Sequence, residues 1–253
     1  MPTTVYLVTG ANRSLGLAFV NEIASRHTDV AIFAGARDPD AATSLKELQE
    51  KYPGKIHIVK FVAGDVETNQ ALAKLIKEKY GYVDIVIPNA ATATYMGMVL
   101  ETPPDVMLEH FQANAVGNLV LFQATHDLLK ASKATPKFIP ISSAGASLTH
   151  YIHVPVGYVC YGASKVAANY ITRKIHFEND WLVCFPLAPG IVETDMAREH
   201  RILDKTGILK PILDSAAISP AEAAAQLIGI IDNSTREKEG GEFVNIDGGR
   251  VTW

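Results

Sequence analysis

The chain has 253 residues, a formal net charge of −4, and 48 % apolar against 20 % charged residues, the balance of an ordinary globular protein. Its basic residues are scattered rather than striped, and no apolar run reaches membrane-spanning length, so neither a nucleic-acid partner nor a membrane is expected. The two cysteines, Cys160 and Cys184, have no metal-ligand spacing and read as buried thiols; no metal is expected.

Short β-rich runs alternate with longer helical patterns. VYLVTG (5–10) reads as a buried strand stopped by glycine, and residues 14–26 as a helix with Leu15, Leu17 and Ile23 at helical spacing. VAIFAGA (30–36) is a second strand, and Pro39 is expected to open a helix running to about Lys51. IHIVKFV (56–62) is the third strand, ALAKLIKEKYG (71–81) a helix closed by Gly81, and VDIVIPNA (83–90) the fourth strand.

A long helical region covers about 103–130, followed by the strand KFIPISS (137–143), a helix over 157–177 and the strand WLVCFPLAPG (181–190). AEAAAQLIGIID (221–232) is a late helix and EFVNID (242–247) the last strand. Wholly apolar strands separated by helices predict an α/β fold: one doubly wound parallel sheet of about seven strands with helices on both faces. The alternation never breaks, so residues 1–253 read as a single doubly wound domain of Rossmann type, with a loop at about 193–215 before the last helix and strand. The first strand starts so early that no signal peptide fits, and a cytoplasmic location is expected.

TGANRSLG puts Gly10 at the end of the first strand and Gly16 in the first turn of the next helix. Glycines there permit a tight turn and let the backbone approach a pyrophosphate seated on the helix N-terminus. Asn12, Arg13, Ser14 and Leu15 complete the loop, with Ser14 where a middle glycine would stand. After the second strand comes Arg37 rather than the acid that holds a ribose 2′-hydroxyl, and Arg13 could reach the same place. Two guanidiniums suit a 2′-phosphate, so the pair favours NADP(H). Asp65 follows the third strand, either to meet the adenine or to cap a helix, and Asn89 follows the fourth at the crevice.

Tyr161 and Lys165 lie four residues apart on a predicted helix and so share a face. Tyrosine is a poor acid–base group at neutral pH, and a neighbouring ammonium stabilises its phenolate. Ser143 ends the fifth strand at the carboxyl edge of the sheet, where its hydroxyl could bond a substrate carbonyl; Ser142 would point the other way. Asn114 is a polar residue among Phe111, Val116 and Leu119, as a functional group or a satisfied buried amide.

Together these residues resemble the classical short-chain dehydrogenase/reductase family over nearly the whole chain. TGANRSLG resembles its cofactor loop, Asp65-Val66 its adenine contact, and Asn89-Ala90 part of a variant of its NAG motif. Asn114, Ser143, Tyr161 and Lys165 resemble its catalytic tetrad. Pro189, Gly190, Val192 and Thr194 resemble its nicotinamide-side loop. The terminal Trp253 resembles the carbonyl-reductase-like subgroup that includes fungal ketoreductases.

The resemblance implies NADPH-dependent reduction of a ketone or aldehyde, or the reverse oxidation. Tyr161 would act as general acid, Ser143 would stabilise the oxygen, and Asn114 would position a water. Lys165 would lower the Tyr161 pKa and, with Tyr161, bind the nicotinamide ribose. It also implies a homodimer or homotetramer through the long fourth and the small-residue fifth helices.

A small-molecule substrate would lie among 93–98, 147–158 and 195–215. Tyr95, Met96, His150, Tyr151, His153, Met196 and His200 there suit an apolar or aromatic carbonyl compound. The other reading is a non-catalytic NADP(H)-binding sensor or scaffold; such a protein would tolerate loss of the tyrosine or lysine, and here all four tetrad positions are filled.

Overall fold

A computed structural model describes residues 3–253. The strands are β1 (Thr4–Thr9), β2 (Val30–Ala36), β3 (Ile56–Lys60), β4 (Ile85–Ile87), β5 (Lys137–Phe138), β6 (Val183–Cys184), β7 (Leu187–Ala188) and β8 (Val244–Asn245). The α-helices are α1 (Ser14–Arg26), α2 (Thr43–Lys51), α3 (Val66–Lys79), α4 (Pro104–Phe111), α5 (Gly117–Lys130), α6 (Val159–Glu178), α7 (Asp195–Leu203), α8 (Leu209–Ala216) and α9 (Pro220–Asn233).

Six strands form one parallel sheet in the order β3-β2-β1-β4-β5-β6. Side chains alternate along each strand, and both faces are covered. Tyr6, Val8, Ile32 and Ile87 pack with α1 and α9 on one side; Val5, Leu7, Phe33 and Val86 pack with α3, α5 and α6 on the other. Order reverses between β1 and β4. There the carboxyl ends of two strands diverge and leave a crevice.

The expected seventh strand is not part of this sheet. β7 and β8 form a separate two-stranded pair, joined to the main sheet only by an isolated bridge between Leu187 and Ile141, and the cause is a row of prolines. Val86 pairs with Phe138 and Phe138 with Cys184, so two residues further on Pro88, Pro140 and Pro186 stand side by side. None has an N–H to give, and regular pairing stops at each. Their carbonyls still accept from Ile141, Leu187 and Val244 at 2.9, 2.9 and 3.0 Å, so isolated rungs hold the strand ends together.

Other elements also differ in detail from the sequence expectation: α3 begins at Val66, capped by Asp65, rather than at 71, and the strand expected at 181–190 is broken at Pro186 into β6 and β7. α2 begins at Thr43, because Asp38 Oδ1 accepts from the backbone of Asp40 and Ala41 and folds 38–41 into a turn. The region 103–130 is one run interrupted by a π-helical turn at Gln112–Val116. The loop at 193–215 holds two helices, α7 and α8.

Candidate active site

The crevice opens into a cavity of about 1160 Å³. Its floor is the turn after β1, where glycine is demanded twice. Gly10 has φ 62°, and a Cβ there would lie 2.9 Å from the Ala90 Cα. A Cβ on Gly16 would lie 2.1 Å from the Gly10 carbonyl oxygen. The turn thus crosses directly over the end of β4, and two side chains lock the crossing. Thr9 Oγ1 accepts from the Asn89 and Ala90 amides at 3.0 and 3.1 Å, while Asn89 Nδ2 donates to the carbonyls of Thr9 and Gly10.

Ser14 occupies the middle glycine's place and keeps its conformation: φ is 49°, the only positive φ of a non-glycine residue among those described. Its hydroxyl donates to Asp195 Oδ2 at 3.0 Å and accepts from the Asp195 amide at 3.1 Å. Arg13 Nε lies 3.6 Å from the same carboxylate. This contact, absent from the sequence reading, joins the glycine turn to the first residue of α7. Burial is the largest single influence on the Asp195 carboxyl and pushes it up, but the side-chain bonds with Arg198 and Ser14 and the charges of Arg198 and Arg13 together hold it below the usual range.

Gly10, Asn12, Arg13, Ser14, Leu15, Gly16, Asn89 and Ala90 all line the cavity, as does the exposed Arg37. Among the described residues Arg37 has no ion-pair partner. Asp65 and Val66 lie outside the lining; Asp65 caps α3, its Oδ1 accepting from the Thr68 amide at 2.7 Å. On the other wall, Pro189, Gly190, Val192 and Thr194 line the cavity, and Thr194 caps α7.

Ser143, Tyr161 and Lys165 meet at the same cavity. Ser142 also borders the cavity, but it is buried and its hydroxyl is committed to Asn169 Oδ1 at 2.6 Å. Tyr161 is 9 % exposed; burial pushes its phenol up to about 12, and the Ser143 hydroxyl beside it pulls the other way. Lys165 Nζ donates to the Ile141 carbonyl at 2.8 Å and lies 5.8 Å from the Tyr161 ring centre. Burial lowers its pKa to about 8. Desolvation therefore favours the neutral form of both groups.

Asn114 sits in the π turn, fully buried and outside the lining. Its Oδ1 accepts from the Thr92 amide at 2.8 Å; its Nδ2 donates to the Thr92 carbonyl and to Ser164 Oγ, both at 2.9 Å. Ser164 Oγ in turn donates to the Tyr161 carbonyl at 2.7 Å. Asn114 thus ties the segment after β4 to the turn that carries Tyr161.

Of the residues expected near substrate, His150 and Met196 line the cavity, whereas Tyr95 and His153 do not; the Tyr95 hydroxyl donates to the Glu101 carbonyl. The inner wall is apolar: Met96, Leu209 and Leu213 form a cluster with Val156 and Ile191 against it. Leu148, Tyr151 and Ile152 stand exposed at its mouth. Tyr158 was not foreseen. It bonds to His200, and only the fold brings them together, 42 residues apart.

Residues 4–203 match the short chain dehydrogenase family. The chain is 34 % identical over 260 residues to the norsolorinic acid ketoreductase of Aspergillus parasiticus, spanning 99 % of this chain and 91 % of that protein. A short chain dehydrogenase of Penicillium aethiopicum is 34 % identical over 258 residues, covering both proteins in full. The crystal structure of an NADPH-bound carbonyl reductase from chicken fatty liver superimposes over the whole of both chains with a TM-score of 0.86 and 26 % identity.

Proposed function

We propose, from the premise that this chain belongs to the short-chain dehydrogenase/reductase family, that it reduces a ketone or aldehyde on an apolar or aromatic small molecule using NADPH. One observation carries the reading. Ser143, Tyr161 and Lys165 line the same cavity as the glycine turn and two guanidiniums.

The cavity fits a dinucleotide phosphate. At Gly10 and Gly16 it has bare backbone where a Cβ would collide, and its rim offers Arg13 and Arg37 to a 2′-phosphate. Gly10, Asn12, Leu15, Gly16, Asn89 and Ala90 would hold the diphosphate side, with Asp65 and Val66 at the adenine end. Pro189, Gly190, Val192 and Thr194 would hold the nicotinamide side. The bound cofactor supplies the hydride.

The protein's own groups handle the proton and the charge. Tyr161, whose phenol stays protonated at physiological pH, gives its proton to the developing alkoxide. Ser143 donates a hydrogen bond to the same oxygen. Lys165, charged below about pH 8, stabilises the phenolate left behind and binds ribose hydroxyls. Asn114 holds the Tyr161 turn in place and positions the water that resupplies the proton.

Two further readings accompany this one. Tyr170 and Phe177, seven residues apart on α6, stand largely exposed on one helix face and support a homodimer or homotetramer through α5 and α6. The protein is proposed to act in the cytoplasm. The test titrates the protein with NADPH and with NADH, then follows NADPH oxidation over aromatic and aliphatic ketones with wild type and Tyr161→Phe. Tight NADPH binding with turnover that falls about 10²–10⁴-fold in the variant is the expected result. Turnover unchanged by Tyr161→Phe would sink it, and NADPH binding without any turnover would favour a sensor.

A further inference from the structure

Tyr158 lies one turn before Tyr161, with ring centres 5.7 Å apart, and both line the cavity. Its hydroxyl oxygen is 2.8 Å from His200 Nδ1. The opposite ring nitrogen, Nε2, is 3.0 Å from the Ala93 carbonyl oxygen. A carbonyl can only accept, so Nε2 carries the hydrogen. His200 is 3 % exposed, and burial holds its pKa below the ordinary value, so the ring is neutral and Nδ1 is a bare lone pair. The hydrogen between the two residues must then come from Tyr158.

This chain of donors has a consequence for the cavity. The one hydrogen of the Tyr158 hydroxyl is already committed, so its oxygen offers the cavity only acceptor lone pairs. The surroundings are apolar, with Met96, Val156, Ile191, Leu209 and Leu213 in the same cluster. Tyr158 is half-buried, and a ligand that covers its oxygen without offering a donor buries and strands that acceptor, so the wall discriminates between ligands. It sits beside the proposed proton donor, where the substrate carbonyl would lie.

We propose that the Tyr158–His200 pair is a specificity device: it selects carbonyl compounds that carry a phenolic or enolic O–H, and disfavours the same compounds with that hydroxyl capped. The inference rests on the reading that the cavity binds a carbonyl substrate at Tyr161. His200 acts as a positioning residue, since it works by fixing which way the Tyr158 hydrogen points.

The probes are acetophenone, its 2′-, 3′- and 4′-hydroxy derivatives and their methyl ethers. Each is titrated by calorimetry against the NADPH-loaded protein and assayed for turnover. In wild type at least one hydroxy isomer should bind about tenfold or more tightly than both acetophenone and its own ether. Tyr158→Phe should bring all three within about twofold while retaining acetophenone binding. His200→Leu frees the Tyr158 hydrogen, so the order should shift towards the ether, a change of sign that loosened packing alone would not produce. No preferred hydroxy isomer, no measurable binding of any, or a preference that survives Tyr158→Phe would overturn the inference. A binding preference without turnover would leave it standing and count against the reductase reading instead.

Discussion

Ser14 and Asp195 are 181 positions apart in sequence, yet one hydroxyl both donates to the carboxylate and accepts from the amide of the same residue. The serine holds a backbone conformation that suits glycine, and the reciprocal contact offsets the strain. Ser14→Gly loses the contact but also the strain, so its stability should fall within about 1 kcal/mol of wild type. Ser14→Ala keeps the strain and loses the contact, and should be less stable than wild type by about 1–2 kcal/mol. Urea denaturation of the three proteins gives the order; Ala at or above Gly would refute the argument.

Arg37 and Arg13 make a differential prediction about the cofactor. Arg37→Ala should weaken NADPH binding about 10–100-fold, the loss of a charge-assisted phosphate contact, and leave NADH nearly untouched. Arg13→Ala should do the same more weakly, because its guanidinium is already drawn towards Asp195. Fluorescence titration with both cofactors decides; equal losses for NADPH and NADH would mean the arginines do not read the 2′-phosphate.

The pH dependence follows from the two buried groups. Tyr161 has a raised pKa, so its acid form persists through neutral pH and is lost only as pH climbs towards about 12. Lys165 has a lowered pKa and sheds its charge earlier, as pH rises through about 8. Ketone reduction should therefore be flat from pH 6 to about 7.5 and decline above about 8, with Lys165 setting the first limb. Alcohol oxidation needs the phenolate and should climb with pH. A reduction rate that climbs across pH 8 would contradict the assignment.

Lys137 is buried beneath α9, and its ammonium donates to the carbonyls of Ile231, Asp232 and Ser234 at 2.6, 2.8 and 3.0 Å. These carbonyls belong to the last turn of α9 and its cap residue Ser234, where the regular helical partners run out, and that of Ile231 also accepts from the Ser234 hydroxyl at 2.8 Å. Lys137→Met keeps the apolar stem and removes the donor, and should cost about 2–4 kcal/mol. Chemical denaturation measures it, and a neutral result would mean water replaces the ammonium.

How much of this was legible in the sequence depends on range. Apolar strands and small-residue turns are local, so the alternation, the glycine turn and the Tyr161–Lys165 face could be read directly. The strand count was missed by one because Pro88, Pro140 and Pro186 each look harmless in isolation. Only the register puts them in a row. Asp195 and Tyr158 fall in the segments 195–215 and 147–158 expected to flank the site, but their contacts were not legible for the same reason: their partners, Ser14 and His200, are defined by the fold and by no spacing. Ser14 itself was noticed as an anomaly, but the sequence could not say that the site accommodates it through a contact from α7.

The strand order also bears on how the chain is made. β1 is synthesised first and ends in the middle of the sheet, between β2 and β4. Once Lys60 has left the ribosome, β3-β2-β1 can assemble, yet the far edge of β1 waits for Ile85–Ile87. At roughly 5–20 residues per second that wait lasts about one to five seconds. Throughout it, Leu7 and Val8, fully buried in the finished protein, flank an unpaired edge. The nascent chain is most vulnerable to mispairing in this window, so a variant that slows translation between codons 60 and 85 should lower the yield of folded protein without changing its stability.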